Sequence, residues 1–587
     1  MTRKGLAAIL LMGWLSSPVM AEEARPVSGL IVKLKKQGAE AGTEQRRLGR
    51  VAFAAGYTTL MPWRKLGSGM AVMQAPTRLT QAKAQALMAK AMASGEVEWV
   101  EPNVREKRQA AVVPNDPYYN DTPFDDGQWW LQAATTGSTA SQSLRQRGAP
   151  NINLAWQTTT GQTQASGAII AVLDTGTLSH PDMASGRILA GYDFVSDVSM
   201  ANDGGGRDAD PTDPGDWVSS TEAGQGAFSG CEQEASSWHG MVITGFLGAT
   251  SNNGTGVAGI NWNARILPVR VAGKCGADVS DIIDGMRWAA GLHVSGVPDT
   301  TTPARIINIS FGGNGVCGAA YQTAIDEVRA QGAVVVVAAG NEHGAVSRPG
   351  NCANVVTVAA LNREGFKSTY SNFGSQVFIS TVGGDPNFSN TDAGGGKWRA
   401  YLADTGMLGL YNYGTTTAGT SGYAYHAGTS YAAPVVAGVL SLMLDVDPTL
   451  TVSQLEDGLR LSARKHVISG LIGACSSGNP GRCMCTTSTC GHGILDAQQA
   501  IVYASAPSSY VPPVWPDENI DSTQVGQAVL VASADRVANV TGSATTNGQL
   551  GNDGGGGGGG AFDAPVLLGE GLLVLLLAAR RRRFLKR

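Results

Sequence analysis

Histidine is scarce in this chain, with seven among 587 residues. Chemistry that needs an imidazole therefore has few positions to use, and their contexts can be compared one by one. Charge is sparse as well, at 15% of residues, and nearly balanced, with 43 Lys and Arg against 47 Asp and Glu. A net charge of −4 lacks the basic excess of a nucleic-acid footprint, so no nucleic-acid partner is expected. No uninterrupted apolar stretch reaches the roughly 20 residues that a membrane-spanning helix needs. The apolar segments near the two ends, 6–15 and 564–579, are both shorter, and Glu570 interrupts the second. Cysteine is limited to eight residues. The length nevertheless exceeds one ordinary domain.

Three short segments supply complementary chemistry. Ala168-Ile-Ile-Ala-Val-Leu173 reads as a buried parallel strand closed by the turn Asp174-Thr-Gly176. An Asp at the carboxyl end of such a strand lies where open α/β sheets place their ligand sites. Trp238-His239-Gly240 opens an apolar segment, 241–247, that reads as a buried helix. Gly428-Thr-Ser430 opens a small-residue helix over 431–444, with Pro434 expected in its first turn, where a missing N–H costs little. A serine hydroxyl is a poor nucleophile near neutral pH unless an imidazole takes its proton. The imidazole in turn needs a carboxylate to hold one tautomer. Asp174, His239 and Ser430 offer that set. A fourth segment, Val334-Val-Val-Val-Ala-Ala-Gly340-Asn341, reads as another buried strand. It ends in Asn341, whose amide can donate to a developing oxyanion together with the backbone N–H of Ser430.

These motifs, with His180-Pro-Asp182 and Asn308-Ile-Ser310-Phe-Gly-Gly313, resemble those of the subtilisin family of serine endopeptidases, in the family's order. The resemblance covers residues 114–505. It implies an α/β domain with a parallel sheet flanked by helices. It assigns Asp174, His239 and Ser430 as the triad, Asn341 as the oxyanion donor, and Ser310, Phe311 and Gly312 as an edge on which an extended substrate pairs. The family has Thr after His-Gly; here Met241 stands in that place, which implies a local packing change. His180 is expected to brace the turn after Asp174. His293, His343, His426, His466 and His492 lie in no motif, and His426 is four residues before Ser430.

The amino-terminal region sets the compartment. Arg3 and Lys4, the apolar run 6–15 and Val19-Met-Ala21 read as a secretory signal peptide over 1–21. Residues 22–111 follow as a distinct segment, with apolar strands at 29–34 and 69–74, an Ala-rich helix at 81–93 and a last strand at 97–102. Such elements suggest a small α+β domain, and the segment resembles a subtilase propeptide, which implies an intramolecular inhibitor. Residues 26–111 hold 14 basic against 6 acidic side chains, net +8; residues 113–510 hold 19 against 32, net −13. Opposite fields favour encounter and orientation of the two. The rival reading is an independent adhesive module.

Export makes the cysteines readable as disulfides. By resemblance to secreted bacterial subtilases, Cys231 pairs with Cys275 and Cys317 with Cys352. Cys475, Cys483, Cys485 and Cys490 stay unassigned, with a zinc knuckle as the alternative. The acidic loop 203–216 resembles the calcium loops of such enzymes, so a structural Ca²⁺ on Asp208, Asp210 and Asp213 is expected. Residues 507–560 read as a Pro/Ser/Gly-rich linker ending in seven glycines, Gly554 to Gly560. Residues 561–587 join a short apolar span to Arg580-Arg-Arg-Arg583. Together they resemble glycine-rich sorting signals removed by a membrane protease, with a permanent anchor as the runner-up. The expected protein is thus an α/β peptidase domain, 112–506, preceded by a self-inhibiting α+β propeptide. It is secreted or displayed at the cell surface and acts on polypeptides. The rival functions are an inactive, adhesive protease fold and a serine-carboxyl peptidase.

Overall fold

The computed structural model describes residues 27–35, 43–56, 60–104, 112–120, 127–135, 146–161, 167–387 and 402–520. The segments read as signal peptide (1–21) and sorting tail (561–587) lie outside the described residues. The chain divides into two compact units, residues 1–110 and 111–587.

The first unit is an antiparallel sheet of β1 (Val27–Leu34), β2 (Met61–Leu66), β3 (Met70–Leu79) and β4 (Val97–Val104), in the order β2-β3-β1-β4. Alternate residues of the central strand, Leu30, Val32 and Leu34, face a core shared with Leu48, Val51 and Ala52 of the helix Thr43–Ala55 and Leu87 and Ala91 of the helix Gln81–Ala93. Thr80 caps the second helix by accepting a hydrogen bond from the Lys83 N–H. Glu96 takes Arg47 at 2.7 Å and Arg50 at 2.6 Å, which lowers its carboxyl below the usual range. The α+β character agrees with the sequence reading, which lacked the helix Thr43–Ala55 and the strand β2.

The second unit is built on seven parallel strands: β5 (Ile169–Asp174), β6 (Tyr192–Asp193), β7 (Arg265–Arg270), β8 (Ile306–Ile309), β9 (Val334–Ala338), β10 (Val356–Leu361) and β11 (Ile379–Val382), in the order β11-β10-β9-β8-β5-β7-β6. Alternation along β5 divides the core. Ile170 and Val172 face one layer, with the helices His239–Gly248, Thr429–Val446, Val452–Ser462 and Ala497–Ser505. Ala171 and Leu173 face the other, with the helices Val279–Ala289 and Ala319–Ala330. Helices on both faces make this the expected α/β architecture. A hairpin of β12 (Met407–Asn412) and β13 (Ser421–His426) precedes the helix Thr429–Val446. That helix is long and apolar enough to cross a bilayer, but it is 94% buried and serves as the central core helix.

Four disulfides close the described loops: Cys231–Cys275, Cys317–Cys352, Cys475–Cys483 and Cys485–Cys490. The first two are the expected pairs. The sulfurs of Cys475, Cys485 and Cys490 lie within 4.8 Å of one another. All three are bonded in disulfides, so this cluster is no zinc knuckle.

Candidate active site

Three adjacent strands, in the order β9-β8-β5, end side by side. The carboxyl end of β5 is Asp174, β8 runs into Ser310, and β9 runs into Ala339-Gly340-Asn341. Register ties the strands tightly, with Leu173 beside Ile309 and Ile309 beside Val337. Parallel strands point the same ends the same way, so residues far apart in sequence meet on one edge of the sheet.

Asp174 is fully buried, and its Oδ1 accepts from His239 Nδ1 at 2.8 Å and from the Thr175 N–H at 2.8 Å. The imidazole is thereby set with its Nδ1 toward the carboxylate and Nε2 away from it. The helix His239–Gly248 can approach because residue 240 is glycine. A Cβ there would lie 2.0 Å from the Gly176 carbonyl oxygen. The Gly240 N–H donates to Thr175 Oγ1 at 3.0 Å, and Thr175 Oγ1 donates to Asp213 Oδ2 at 2.6 Å. The His239 ring lies 5.5 Å from Phe311 and 5.7 Å from Tyr431, each measured between centroids. It is thus flanked by the neighbours of Ser310 and Ser430.

Ser430 is the second residue of the helix Thr429–Val446 and is 7% exposed. Its backbone N–H lies in the first turn, where such groups have no intrahelical partner and the helix dipole favours negative charge. Ser430 Oγ donates to the Ser310 carbonyl at 3.1 Å, and Ser310 Oγ donates to the Ser430 carbonyl at 2.8 Å. Pro434 explains the second bond. It is the sixth residue of the helix, beyond the first turn where the sequence reading placed it. Four residues after Ser430, it has no N–H for that carbonyl, and the Ser310 hydroxyl takes the vacancy.

Asn341 is half-buried, and its Oδ1 accepts from the Thr429 N–H at 2.9 Å and from Thr429 Oγ1 at 2.8 Å. Thr429 Oγ1 itself accepts the Gly340 N–H at 3.1 Å, so its proton must go to Asn341. The carbamoyl oxygen is fixed in this way, and the Nδ2 donors face away from Thr429. The chain at Gly312 is exposed, and among the described residues its N–H and carbonyl make no backbone pair, whereas Gly313 pairs with Arg348 at 3.0 and 3.2 Å. Open backbone at Gly312 therefore lies beside Ser310 and Phe311.

The acidic loop is where the sequence reading and the structure part. Among the described residues, Asp208, Asp210 and Asp213 do not converge as a metal-ligand group. Asp208 Oδ1 accepts the Asp210 N–H at 2.7 Å, and Asp210 Oδ1 accepts from Thr212 at 3.0 Å (N–H) and 2.6 Å (Oγ1); both Asp side chains are exposed. Asp213 is buried under the site, with Oδ2 taken by Thr175 and Oδ1 by the Gly215 N–H at 2.8 Å. Burial, and then the neighbouring Asp216, push its carboxyl up to about 7. Arginines neutralise much of the nearby charge, Arg270 on Asp193 and Asp203, Arg207 on Asp281 and Asp284. The three named aspartates therefore do not fit a shared Ca²⁺. Asp213 belongs to the support of His239.

His180 and His426 serve the framework. His180 Nε2 bonds the Gly422 carbonyl at 3.1 Å, bracing the hairpin in addition to accepting the Asp182 N–H at its own turn. His426 Nε2 bonds the Leu410 carbonyl at 3.0 Å within the hairpin. Trp129 and Trp130 donate to the carbonyls of Gly406 and Leu408 at 2.7 and 3.1 Å. Sequence reasoning missed this use of the tryptophans, and it missed Asp216, which accepts both the N–H and the Oγ–H of Ser237 at 2.6 Å. The one available signal was position, since Ser237 and Trp238 immediately precede His239.

Residues 165–490 match the Subtilase family (Peptidase_S8). The chain belongs to the subtilase family. It is 39% identical over 444 residues to the extracellular protease of Xanthomonas campestris pv. campestris, covering 75% of this chain and 65% of that protein. It is 36% identical over 400 residues to the extracellular basic protease of Dichelobacter nodosus, covering 67% of this chain and 59% of that one. The chain thus spans less than two thirds of the length of either relative. Among solved structures it is similar to a protease of Pseudoalteromonas arctica, at 40% identity and a TM-score of 0.54, covering 67% of this chain and 100% of that one.

Proposed function

We propose that this protein is a serine endopeptidase that hydrolyses polypeptides outside the cytoplasm. The observation that carries the reading is the 2.8 Å bond from His239 Nδ1 to buried Asp174, in a site where Ser430 opens a helix beside the same imidazole. In this reading His239 Nε2 takes the proton of Ser430 Oγ as that oxygen bonds to the substrate carbonyl carbon. The oxyanion is held by Asn341 Nδ2 and the Ser430 N–H. His239 then gives the proton to the departing amine, and water cleaves the acyl ester by the same steps. The open backbone at Gly312 supports pairing of an extended substrate along Ser310, Phe311 and Gly312.

The relatives named extracellular proteases support export. Residues 22–111 act, in this proposal, as an intramolecular inhibitor, supported by the α+β unit and its net positive charge against an acidic peptidase region. The tail, 561–587, is a removable sorting signal cut by a membrane protease. A Ca²⁺ on Asp208, Asp210 and Asp213 is not carried forward. Labelling with a fluorophosphonate tests the reading: a covalent adduct on the peptide containing Ser430 is expected in the parent and not in Asp174→Ala. An unlabelled, folded parent would reject it.

A further inference from the structure

We infer that the tip of the β12–β13 hairpin is a positioning element for His239. Three hydrogen bonds join the residues just before His239 to the tip. The Ser236 N–H donates to the Thr415 carbonyl at 2.8 Å, Ser236 Oγ to the Thr416 carbonyl at 2.7 Å, and Trp238 Nε1 to the Gly414 carbonyl at 2.6 Å. The tip can offer these carbonyls because Asn412 closes it from within. Asn412 Oδ1 accepts the N–H groups of Gly414 at 2.9 Å and Gly419 at 2.7 Å. Trp238 has φ of 51°, a left-handed conformation that bulky residues seldom adopt, and it is 1% exposed. Such a conformation persists where the surroundings over-determine it, and the clasp on Gly414 is one of those determinants. The other is Ser237, held by Asp216.

The same ribbon carries the nucleophile at its foot. β13 ends at His426, and Gly428 is the cap residue of the helix that presents Ser430. The hairpin thus grips the base at one end and leads into the nucleophile at the other, coupling two residues 191 positions apart in sequence. The foot of the hairpin is tied to the core through Trp129 on Gly406 and Trp130 on Leu408. Ser236 and Trp238 act through His239 and are positioning residues.

Trp238→Phe keeps the ring in its packed place and removes the donor. Displacement of a catalytic group by about 1 Å can cost on the order of a hundredfold in rate. We expect kcat of Trp238→Phe on a peptide substrate to fall by about tenfold to a hundredfold while KM changes less than about threefold, since the edge at Gly312 is untouched. Asn412→Ala, which opens the tip, gives the same split and serves if Trp238→Phe fails to fold. Melting measured in the Ser430→Ala background, free of autolysis, identifies the folded variants. A folded variant of either kind with the parent's kcat overturns the clasp. So does a fall expressed only in KM. The inference rests on His239 as the base. His239→Ala as active as the parent would reject that reading, whereas an inactive His239→Ala beside a fully active Trp238→Phe rejects the clasp alone.

Discussion

Ser310 and Ser430 hold each other by two opposed hydrogen bonds, the Ser310 hydroxyl to the Ser430 carbonyl at 2.8 Å and the Ser430 hydroxyl to the Ser310 carbonyl at 3.1 Å. The first exists because Pro434 cannot serve that carbonyl. Ser310→Ala should therefore leave a buried carbonyl unpaired and cost about 1 kcal/mol of stability. In a Pro434→Ala background, the restored N–H at position 434 can take the carbonyl, and the same substitution should cost measurably less. A thermal double-mutant cycle in Ser430→Ala protein reads the coupling. Additive costs would mean that Pro434 has no part in the arrangement.

Asn341 is fixed through its oxygen, which leaves its amide protons for the oxyanion contact of the proposed mechanism. Asn341→Ala should lower kcat by about 10²–10³ with a much smaller change in KM. Steady-state kinetics on a chromogenic peptide decide this. A variant as fast as the parent removes Asn341 from the oxyanion site.

Much of this site is legible in the sequence because apolar runs mark the strands and helices, and the motifs at their ends resemble those of the subtilisin family. Asp174 and Asn341 each end an apolar run that reads as a buried parallel strand, whereas Ser310 is marked by the family resemblance; adjacent parallel strands then present the same edge. His239 and Ser430 each open an apolar helix. What pattern cannot give is the partner of a side chain that folds back. Asp213 sits on a Gly/Pro loop with other aspartates and reads like a cation ligand, yet it turns inward to Thr175. Pro434 reads as a first-turn proline because the motif masks where the helix begins. The pairing Cys485–Cys490 spans so short a loop that spacing alone did not separate it from the alternatives. The helix Thr43–Ala55 escaped notice because its charged start, Glu44-Gln-Arg-Arg47, obscures the apolar face at Leu48, Val51 and Ala52.

The loop assignment has a direct check. Asp208→Asn with Asp210→Asn should leave the response of the melting temperature to added Ca²⁺ the same as in the parent, with both proteins in the Ser430→Ala background. Calorimetry with and without EDTA measures it. A Ca²⁺-dependent shift seen in the parent and lost in the double variant would restore those residues as ligands.

Asp213 predicts a pH dependence. Its carboxyl is raised to about 7 by burial and then by Asp216, against an ordinary value near 4 in the unfolded chain. The folded state keeps the proton longer. The stability from this group is therefore fully present below about pH 4 and is lost as pH rises toward 7. Asp182 and Asp193, both raised to about 7 chiefly by burial, act in the same direction. Asp213→Asn should make the decline in unfolding free energy from pH 4 to 7 shallower, as measured by denaturant titration in Ser430→Ala protein. An unchanged slope would mean that Asp213 is ionised throughout.

The central claim is that Asp174, His239 and Ser430 work as one catalytic unit, and the rates of Ser430→Ala, His239→Ala and the double variant test it most directly. Residues that act as a unit are strongly non-additive. Each single variant should lose nearly all peptide hydrolysis, on the order of 10⁴-fold or more, and the double variant should lose no more than either. Independent losses that multiply in the double variant, or a folded Ser430→Ala with the parent's rate, would contradict the assignment.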